Sequence, residues 1–586
     1  MSLTPTALHD LASAARTWAR EDPDPETARE LRDLLAGLDG GEAEAADAAG
    51  ELADRFSGTL EFGTAGLRAA LGAGPMRMNR AVVRRTADGL AHFLLDASAG
   101  RWQPSAVIGY DGRRKSLDFA EETAAVFTAA GIETLVLPCM LPTPVLAYAV
   151  RALGADAGVM VTASHNPAAD NGYKVYLGGH TVKGPGQGAQ IVAPYDAEIA
   201  ARIDYGKPLS SIDVAPEGWA EVSESLVADY INAVTRLASL KGYPSRDLAI
   251  VHTAMHGVGG ETMVSVLRDA GFGPVIPVAE QSRPDPDFPT VAFPNPEEAG
   301  ALDLALALAR ERDADIVLAN DPDADRAAVA AKDPATGEWR MLRGDEVGAL
   351  LGAHLTRRIK SGHVKFRGKA ANEPVVFANS IVSSRLLARI ADAAGFRHEE
   401  TLTGFKWISR VPGLTFGYEE ALGYCVAPHL VRDKDGISAG LLIAELAATL
   451  KAEGRTLFDE LDALALAHGL HASDQLSVRV DNLALLGEMM ATLRQQPPAA
   501  FAGSPVRSAV DLAEGSAALP PTDGLLYLTE DDTRVIIRPS GTEPKLKCYL
   551  EVIRPVSGAD ALPAARDAAR QQLDAVLADV RAALGI

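Results

Sequence analysis

After the apolar run IVLA, Asp321, Asp323 and Asp325 alternate with Pro322 and Ala324. In extended backbone a period of two turns all three carboxylates to one side. Three adjacent carboxylates repel one another unless a cation lies between them. Hard oxygen ligands with water positions to spare suit Mg²⁺, which commonly also holds a phosphate. The run is no EF-hand, since Gly and Glu do not follow at that loop's spacing. The plain alternative is a solvated acidic loop.

Upstream, AGVMVTASHNPAADNGYK brings an apolar strand to its end at Ser164, followed by His165 and the turn-forming pair Asn166-Pro167. One hydroxyl is thereby presented at a strand's mouth, and Lys174 lies ten residues on, able to return to it. An ordinary Ser/Asn/Pro turn is the plain reading. Near the other end, TRVIIRPSGTEPK gathers Arg538, Ser540, Gly541 and Thr542 within five residues. Bidentate Arg plus loop N–H donors make a phosphate cradle, against the plain reading of a Pro-Ser-Gly hairpin turn. The fourth cluster is FGYEEALGY (416–424) with HLVRDKDG (429–436) behind it. Glu419 and Glu420 could accept hydrogen bonds from sugar hydroxyls, with Lys434 near a phosphate. The plain reading there is a helix start after a Gly turn.

The elements that must carry these groups follow from periodicity. Residues 1–56 read as helices broken at Asp-Pro-Asp-Pro (22–25) and Gly-Gly (40–41). From residue 57 short β-branched runs alternate with Ala/Leu-rich helices: AVIGYD (106–111), a helix over 116–130, TLVLP (134–138), a helix over 143–153, and AGVMVTA (157–163). That order predicts mainly parallel sheets covered by helices, with reactive groups where strands end. The alternation restarts at LAIVHT (248–253), which ADIVLAND (314–321) closes, and again near Arg343 with PVVFANS (374–380). Segments 154–167 and 312–325 echo each other: Ala-Asp, an apolar strand, then a polar loop. From about residue 474, LSVRVD, LLYLT, TRVIIR and KCYLEV precede a final helix, an α+β module.

The expected fold class is therefore α/β. A helical extension (1–56) precedes three similar mixed α/β domains (57–215, 216–335, 336–470) and a C-terminal α+β domain (471–586). The 586 residues carry 78 Asp+Glu against 56 Lys+Arg, a formal charge of −22. That excess disfavours a nucleic-acid partner, which needs a basic surface. Cys139, Cys425 and Cys548 are too scattered for a disulfide framework or a zinc ribbon. The charged N-terminal stretch lacks a signal peptide's apolar core, and apolar runs break before the ~18–20 residues a membrane span needs. The expectation is a cytoplasmic protein with no membrane partner. No GxxxxGK[ST] loop or HExxH helix occurs, and HGVGGE (256–261) is not a dinucleotide fingerprint.

With TASHNP, DPDADR and RPSGTEP in this order, the sequence resembles the α-D-phosphohexomutase superfamily. The branch it resembles most holds phosphoglucomutase-2-like and phosphopentomutase-like enzymes. The likeness begins at FGTAGLR (62–68), takes in HTAMHGVGG (252–260) and TGFKW (403–407), and covers roughly nine tenths of the chain. It implies four domains around a central cleft, and a mutase that moves phosphate between the 1- and 6-positions of a sugar through a bisphosphorylated intermediate. Glucose phosphates are the first expectation; mannose phosphates, or ribose 1- and 5-phosphates, are the alternative.

The resemblance further implies roles. Ser164 would be the phosphorylated serine, and with Asp321, Asp323 and Asp325 would hold one Mg²⁺ per chain. Arg68 and Arg326 would contact phosphate oxygens, with Lys174 and His165 flanking the transferring group. Glu419 would read sugar hydroxyls, and Thr403, Lys406 and Lys434 would line the substrate cleft. Arg538, Ser540, Gly541 and Thr542 would hold the phosphate not in flight. A sugar bisphosphate would act as activator, and the protein would be a monomer or homodimer acting on small sugar phosphates. One departure stands out: Ala421 replaces the serine often found in the family's sugar loop, which leaves the choice of sugar open. A phosphatase using Asp321 as nucleophile, or a sugar-phosphate sensor, are the rival readings.

Overall fold

The computed structural model describes residues 4–63, 66–362, 373–480, 483–516, 519–540 and 545–586. Its chain divides into two compact units. The first comprises Met1–Ser239, Arg246–Ala331 and Tyr424–Ala444; the second comprises Leu240–Ser245, Lys332–Gly423 and Glu445–Ile586.

Three helices open the first unit, Pro5–Glu21, Pro25–Gly37 and Glu42–Arg55. Thr4 and Asp24 cap the first two from the side chain, each followed by a proline at the first helical position, where no N–H is needed. Ala15, Leu31, Leu52 and Ala73 form their small shared core, with Trp18 and Phe56 against it.

Next comes a sheet in the spatial order Leu67–Ala70, Asp170–Leu177, Ala157–Val161, Ser105–Tyr110, Glu133–Val136, Ala220–Glu221. Ala157–Val161, Ser105–Tyr110 and Glu133–Val136 are parallel, as the alternation predicts. Asp170–Leu177, however, runs antiparallel to the strands on either side of it. The physical reason is loop length. Only eight residues join Ala157–Val161 to Asp170–Leu177, and a parallel crossover needs a dozen or more.

The same device recurs in the second sheet. Ile316–Ala319 is parallel to Asp247–Thr253 but antiparallel to Ala328–Lys332, again across eight residues. The echo between 154–167 and 312–325 is thus a repeated hairpin. Both entering strands are buried at every residue, as strands covered on both faces must be.

In the second unit Arg397–Thr401, Val376–Ser380 and Leu414–Glu419 are parallel. FGYEEALGY does not start a helix. It continues the strand Leu414–Glu419 into a turn with Leu422 at φ 61°, because Leu, Thr, Phe and Tyr favour extended backbone. An antiparallel sheet follows, in the order Leu470–Arg479, Lys545–Arg554, Arg534–Pro539, Leu525–Thr529, Ser504–Asp511, Ala500–Phe501. Helix Leu562–Leu584 packs on it through Leu573, Val576 and Val580. The last two strands, mostly exposed, are absent from the sequence reading. No described helix is long and apolar enough to cross a membrane.

Candidate functional site

Ser164 occupies the loop between the strands Ala157–Val161 and Asp170–Leu177, buried and at φ 52°. A non-glycine residue in the left-handed region needs support from outside. Arg113 supplies it. Its guanidinium donates to the carbonyls of Ser164 and Asn166 at 2.6 Å each, Pro167 at 2.8 Å and Asp170 at 3.1 Å. Thr162 Oγ1 accepts from the Ser164 amide at 2.8 Å. So held, Ser164 Oγ lies 3.2 Å from His165 Nδ1 and donates to Asp321 Oδ2 at 2.9 Å. Arg68 joins the same loop through Asn166 Oδ1 at 3.1 Å.

The alternating acids do not lie in extended backbone, as their spacing predicts. Residues 322–325 form a turn, with Ala324 at φ 55° and its amide donating to Asp321 O at 2.8 Å. That turn folds the three buried carboxylates inward, each with an oxygen within 4.8 Å of the others. Thr143 fixes Asp323 twice, hydroxyl to Oδ2 at 2.6 Å and amide to the carbonyl at 2.9 Å. Lys174 returns to the cluster rather than to the serine itself, donating to Asp323 Oδ2 at 2.7 Å and Asp325 Oδ2 at 2.9 Å. Lys434 Nζ lies 3.3 Å from Asp325 Oδ2, and Arg326 Nε lies 3.8 and 3.7 Å from Asp321 and Asp325.

Burial, reinforced by the charges of Asp323 and Asp325, pushes the Asp321 carboxyl well above its ordinary range. Burial acts on Asp323 and Asp325 too, but there the cations prevail. Lys174 holds Asp323 down, and Lys174, Lys434 and Arg326 hold Asp325 further down. In return, and against the effect of burial, those two carboxylates raise Lys174 above the ordinary lysine value.

The cluster fits a divalent cation. Among the described residues, Asp323 Oδ1 and Asp325 Oδ1 are buried oxygens with no hydrogen-bond partner, and a set of three hard carboxylates is the donor chemistry Mg²⁺ takes.

Glycines let neighbouring segments reach this turn. A Cβ on Gly257 would stand 2.3 Å from Pro322 Cα, and one on Gly436 would stand 2.2 Å from Arg326 O. The HGVGG run is therefore a close-approach device, and Val258 N donates to Pro322 O at 2.8 Å. GISAG (436–440) has the letters of a nucleophile elbow, yet Ser438 is buried and its amide and hydroxyl turn back onto Asp435.

The first unit thus brings together Ser164, His165, Lys174, Arg68, Arg326, Lys434 and the three aspartates. The remaining predicted residues belong to the second unit. Glu419 ends the strand Leu414–Glu419, while Glu420 is committed elsewhere, its Oε2 accepting from Ser380 and Ser383 hydroxyls at 3.0 Å each. Thr403 precedes the short helix Phe405–Ile408, and Lys406 lies within it. Arg538 lies on the strand Arg534–Pro539 opposite Lys547, and among the described residues its buried Nε has no hydrogen-bond partner. Ser540 N donates to Lys545 O at 2.8 Å, closing the hairpin's base. Gly541 and Thr542 lie outside the described residues. Arg113 and Thr143 were not singled out by sequence, because their partners are backbone atoms and a carboxylate far along the chain.

Models of the phosphoglucomutase/phosphomannomutase alpha/beta/alpha domains I, II and III match residues 59–205, 228–337 and 343–465, and that of the C-terminal domain matches 477–568. A protein named probable phosphomannomutase from Haemophilus influenzae is 47% identical over 477 residues, covering 81% of this chain and 93% of its own. The phosphopentomutase of Mus musculus is 35% identical over 586 residues, covering 93% and 90%. A phosphoglucomutase/phosphomannomutase family protein from Burkholderia thailandensis shares the fold at 20% identity and a TM-score of 0.65, over 89% of this chain and 97% of that one. With four α/β domain matches in order and relatives aligned along nearly their whole length, this chain belongs to the phosphoglucomutase/phosphomannomutase family of phosphosugar mutases.

Proposed function

We propose that the chain moves a phosphoryl group between the anomeric oxygen and the terminal hydroxyl of one sugar phosphate, by way of phosphoserine at Ser164 and a bisphosphorylated sugar. Glucose 1- and 6-phosphate are the first candidates; mannose and ribose phosphates are the alternative, and relatives bearing phosphomannomutase and phosphopentomutase names support them equally. The observation that carries the reading is the Ser164 hydroxyl set 2.9 Å from Asp321 in a cluster of three buried carboxylates. A phosphatase using Asp321 would leave unexplained a serine loop held by four hydrogen bonds from Arg113.

Two oxygens of one sugar cannot both lie in line with one phosphorus, so the exchange takes two transfers. In the first, the sugar hydroxyl attacks phosphorus, the P–Oγ bond of Ser164 breaks, and the hydroxyl proton ends on the serine oxygen. In the second, Ser164 Oγ attacks the other phosphate of the bisphosphate, the P–O bond to the sugar breaks, and the proton returns to the freed sugar oxygen. His165, 3.2 Å from Ser164 Oγ, is placed to carry the proton. Lys174, held charged by Asp323 and Asp325, offsets phosphate charge, joined by Arg68 and Arg326. Asp321, Asp323 and Asp325 would hold Mg²⁺, which when bound neutralises charge on the phosphoryl group. Glu419, Thr403, Lys406, Lys434, Arg538 and Ser540 are assigned to the sugar and to the phosphate not in flight. A sugar bisphosphate would prime Ser164.

The test is turnover of glucose 1-, mannose 1- and ribose 1-phosphate, with and without the matching bisphosphate, alongside intact-protein mass. The expected result is isomerised product, a fraction of protein heavier by one phosphate, and loss of both in Ser164→Ala. Stoichiometric release of inorganic phosphate, or wild-type turnover in Ser164→Ala, overturns the reading.

A further inference from the structure

The N-terminal helices carry no part of the proposed transfer, yet they wall a cavity of about 640 Å³ in the first unit. Asp10, Trp18 and Glu21 from the helix Pro5–Glu21 are on its lining, together with Arg85, Tyr205 and Lys207. Arg85 is 5% exposed. Arginines are almost never buried so deeply without a carboxylate, and among the described residues Arg85 has no ion pair. Its Nη1 donates to Asp204 O and Lys207 O at 2.8 Å each. Its guanidinium carbon sits 6.0 Å from the Trp18 ring and 5.7 Å from the Tyr205 ring. Among the described residues, three donors in this wall, Trp18 Nε1, Arg85 Nε and the Tyr205 hydroxyl, are buried and find no hydrogen-bond partner. Glu21, the acid whose charge acts most on Arg85, is turned to the Leu209 amide, which it accepts at 2.9 Å.

We propose that this cavity is a binding site for a small organic anion with a flat body, its carboxylate or phosphate oxygens taken by Arg85 and Tyr205 and its ring laid against Trp18. A structural role for Arg85, riveting the turn 204–207 to the helix Arg80–Ser98, accounts for Nη1 alone. It leaves unexplained the other orphaned donors and the aromatic lining. Unmet buried donors are costly, and an occupant supplying acceptor oxygens removes that cost. The aromatic walls suit a planar apolar body.

The experiment is calorimetry on the full chain with benzoate and phenyl phosphate, and with phenol and inorganic phosphate as half-ligands. Sugar phosphate is left out, so the result does not depend on the mutase reading. At least one of the two aromatic anions should bind with a Kd below about 1 mM, and both half-ligands more weakly. Binding of one but not the other identifies the head group. Tyr205→Phe, which removes one oxygen and should keep mutase kinetics, should weaken binding roughly threefold to tenfold; Arg85→Met should weaken it at least about tenfold. If neither anion binds, or if binding survives unchanged in Tyr205→Phe, the cavity is not such a site and Arg85 is a rivet. Tyr205→Phe decides the matter even where Arg85→Met fails to fold.

Discussion

Arg113 Nη2 donates to the carbonyl oxygen of Ser164 at 2.6 Å, and the same guanidinium spans three further carbonyls of that loop. Removing it in Arg113→Met takes four hydrogen bonds from that loop, the buried Ser164 carbonyl among them, and frees a serine whose φ of 52° is costly unsupported. Displacement of a reacting atom by about 1 Å can cost on the order of 100-fold in rate. We expect kcat to fall by about that factor with little change in KM, and Ser164 phosphorylation by bisphosphate to slow in step. Arg113→Lys should recover part of the loss. Unchanged kcat in a folded Arg113→Met would show that the loop holds its own shape.

Asp323→Asn removes one of three convergent charges and disturbs the contacts to Thr143 and Lys174. Mg²⁺ should bind more weakly, activity should drop, and excess Mg²⁺ should restore some of it. Rates titrated against free Mg²⁺ measure the shift. A wild-type rate that survives chelation would reduce this loop to an acidic turn.

Arg538→Ala should lower kcat/KM by roughly one to two decades, the worth of a charged hydrogen bond to phosphate at about 1.5–3 kcal/mol. Remote binding energy serves orientation, so kcat should fall along with affinity. Because Arg538 lies on a strand with a buried Nε, a modest loss of thermal stability should accompany it. Normal kinetics on every sugar phosphate would leave RPSGT a mere hairpin.

Asp345 accepts from Ser384 N at 2.7 Å and Tyr418 Oη at 3.0 Å. Burial, helped by the charges of Glu420 and Glu551 and opposed by the Ser384 bond, lifts its pKa to about 6. In the unfolded chain an aspartate titrates near 3.9. Below pH ~4 both states are protonated and nothing is lost. Between pH ~4 and 6 the unfolded state releases its proton first, so stability declines, reaching a deficit of about 3 kcal/mol above pH 6. Asp345→Asn keeps an acceptor without the charge. Its melting temperature should nearly match wild type at pH 3.5 and exceed it by several degrees at pH 7.5. An equal gap at both pH values would mean the carboxyl is ionised throughout.

What could be read from sequence divides by distance along the chain. The return of Lys174 toward the serine region was legible because a short hairpin loop constrains it. The convergence of Asp321, Asp323 and Asp325 was legible for the wrong reason, since a turn and not an extended period brings them together. Arg113 sits in GYDGRRKS, which reads as a basic turn, and nothing local announces that its partners are carbonyls more than fifty residues on. The glycines of HGVGG looked like a weak cofactor loop, while their use is to admit Pro322 at a spacing no side chain allows. Lys434 pointed to the sugar loop by its place in sequence, but the fold sets its ammonium on Asp325.

Ser164 and Asp321, on the hairpins of two different sheets, lie 157 residues apart, and this orders events during synthesis. Domains of a large chain tend to fold as they leave the ribosome, the N-terminal ones first. The sheet bearing Ser164 would close while Asp321 is still unmade, and the ammonium of Lys434 arrives later again. A nascent chain therefore displays its hydroxyl with no carboxylate facing it. The serine is built inert, and it meets Asp321 only when the second sheet has been made.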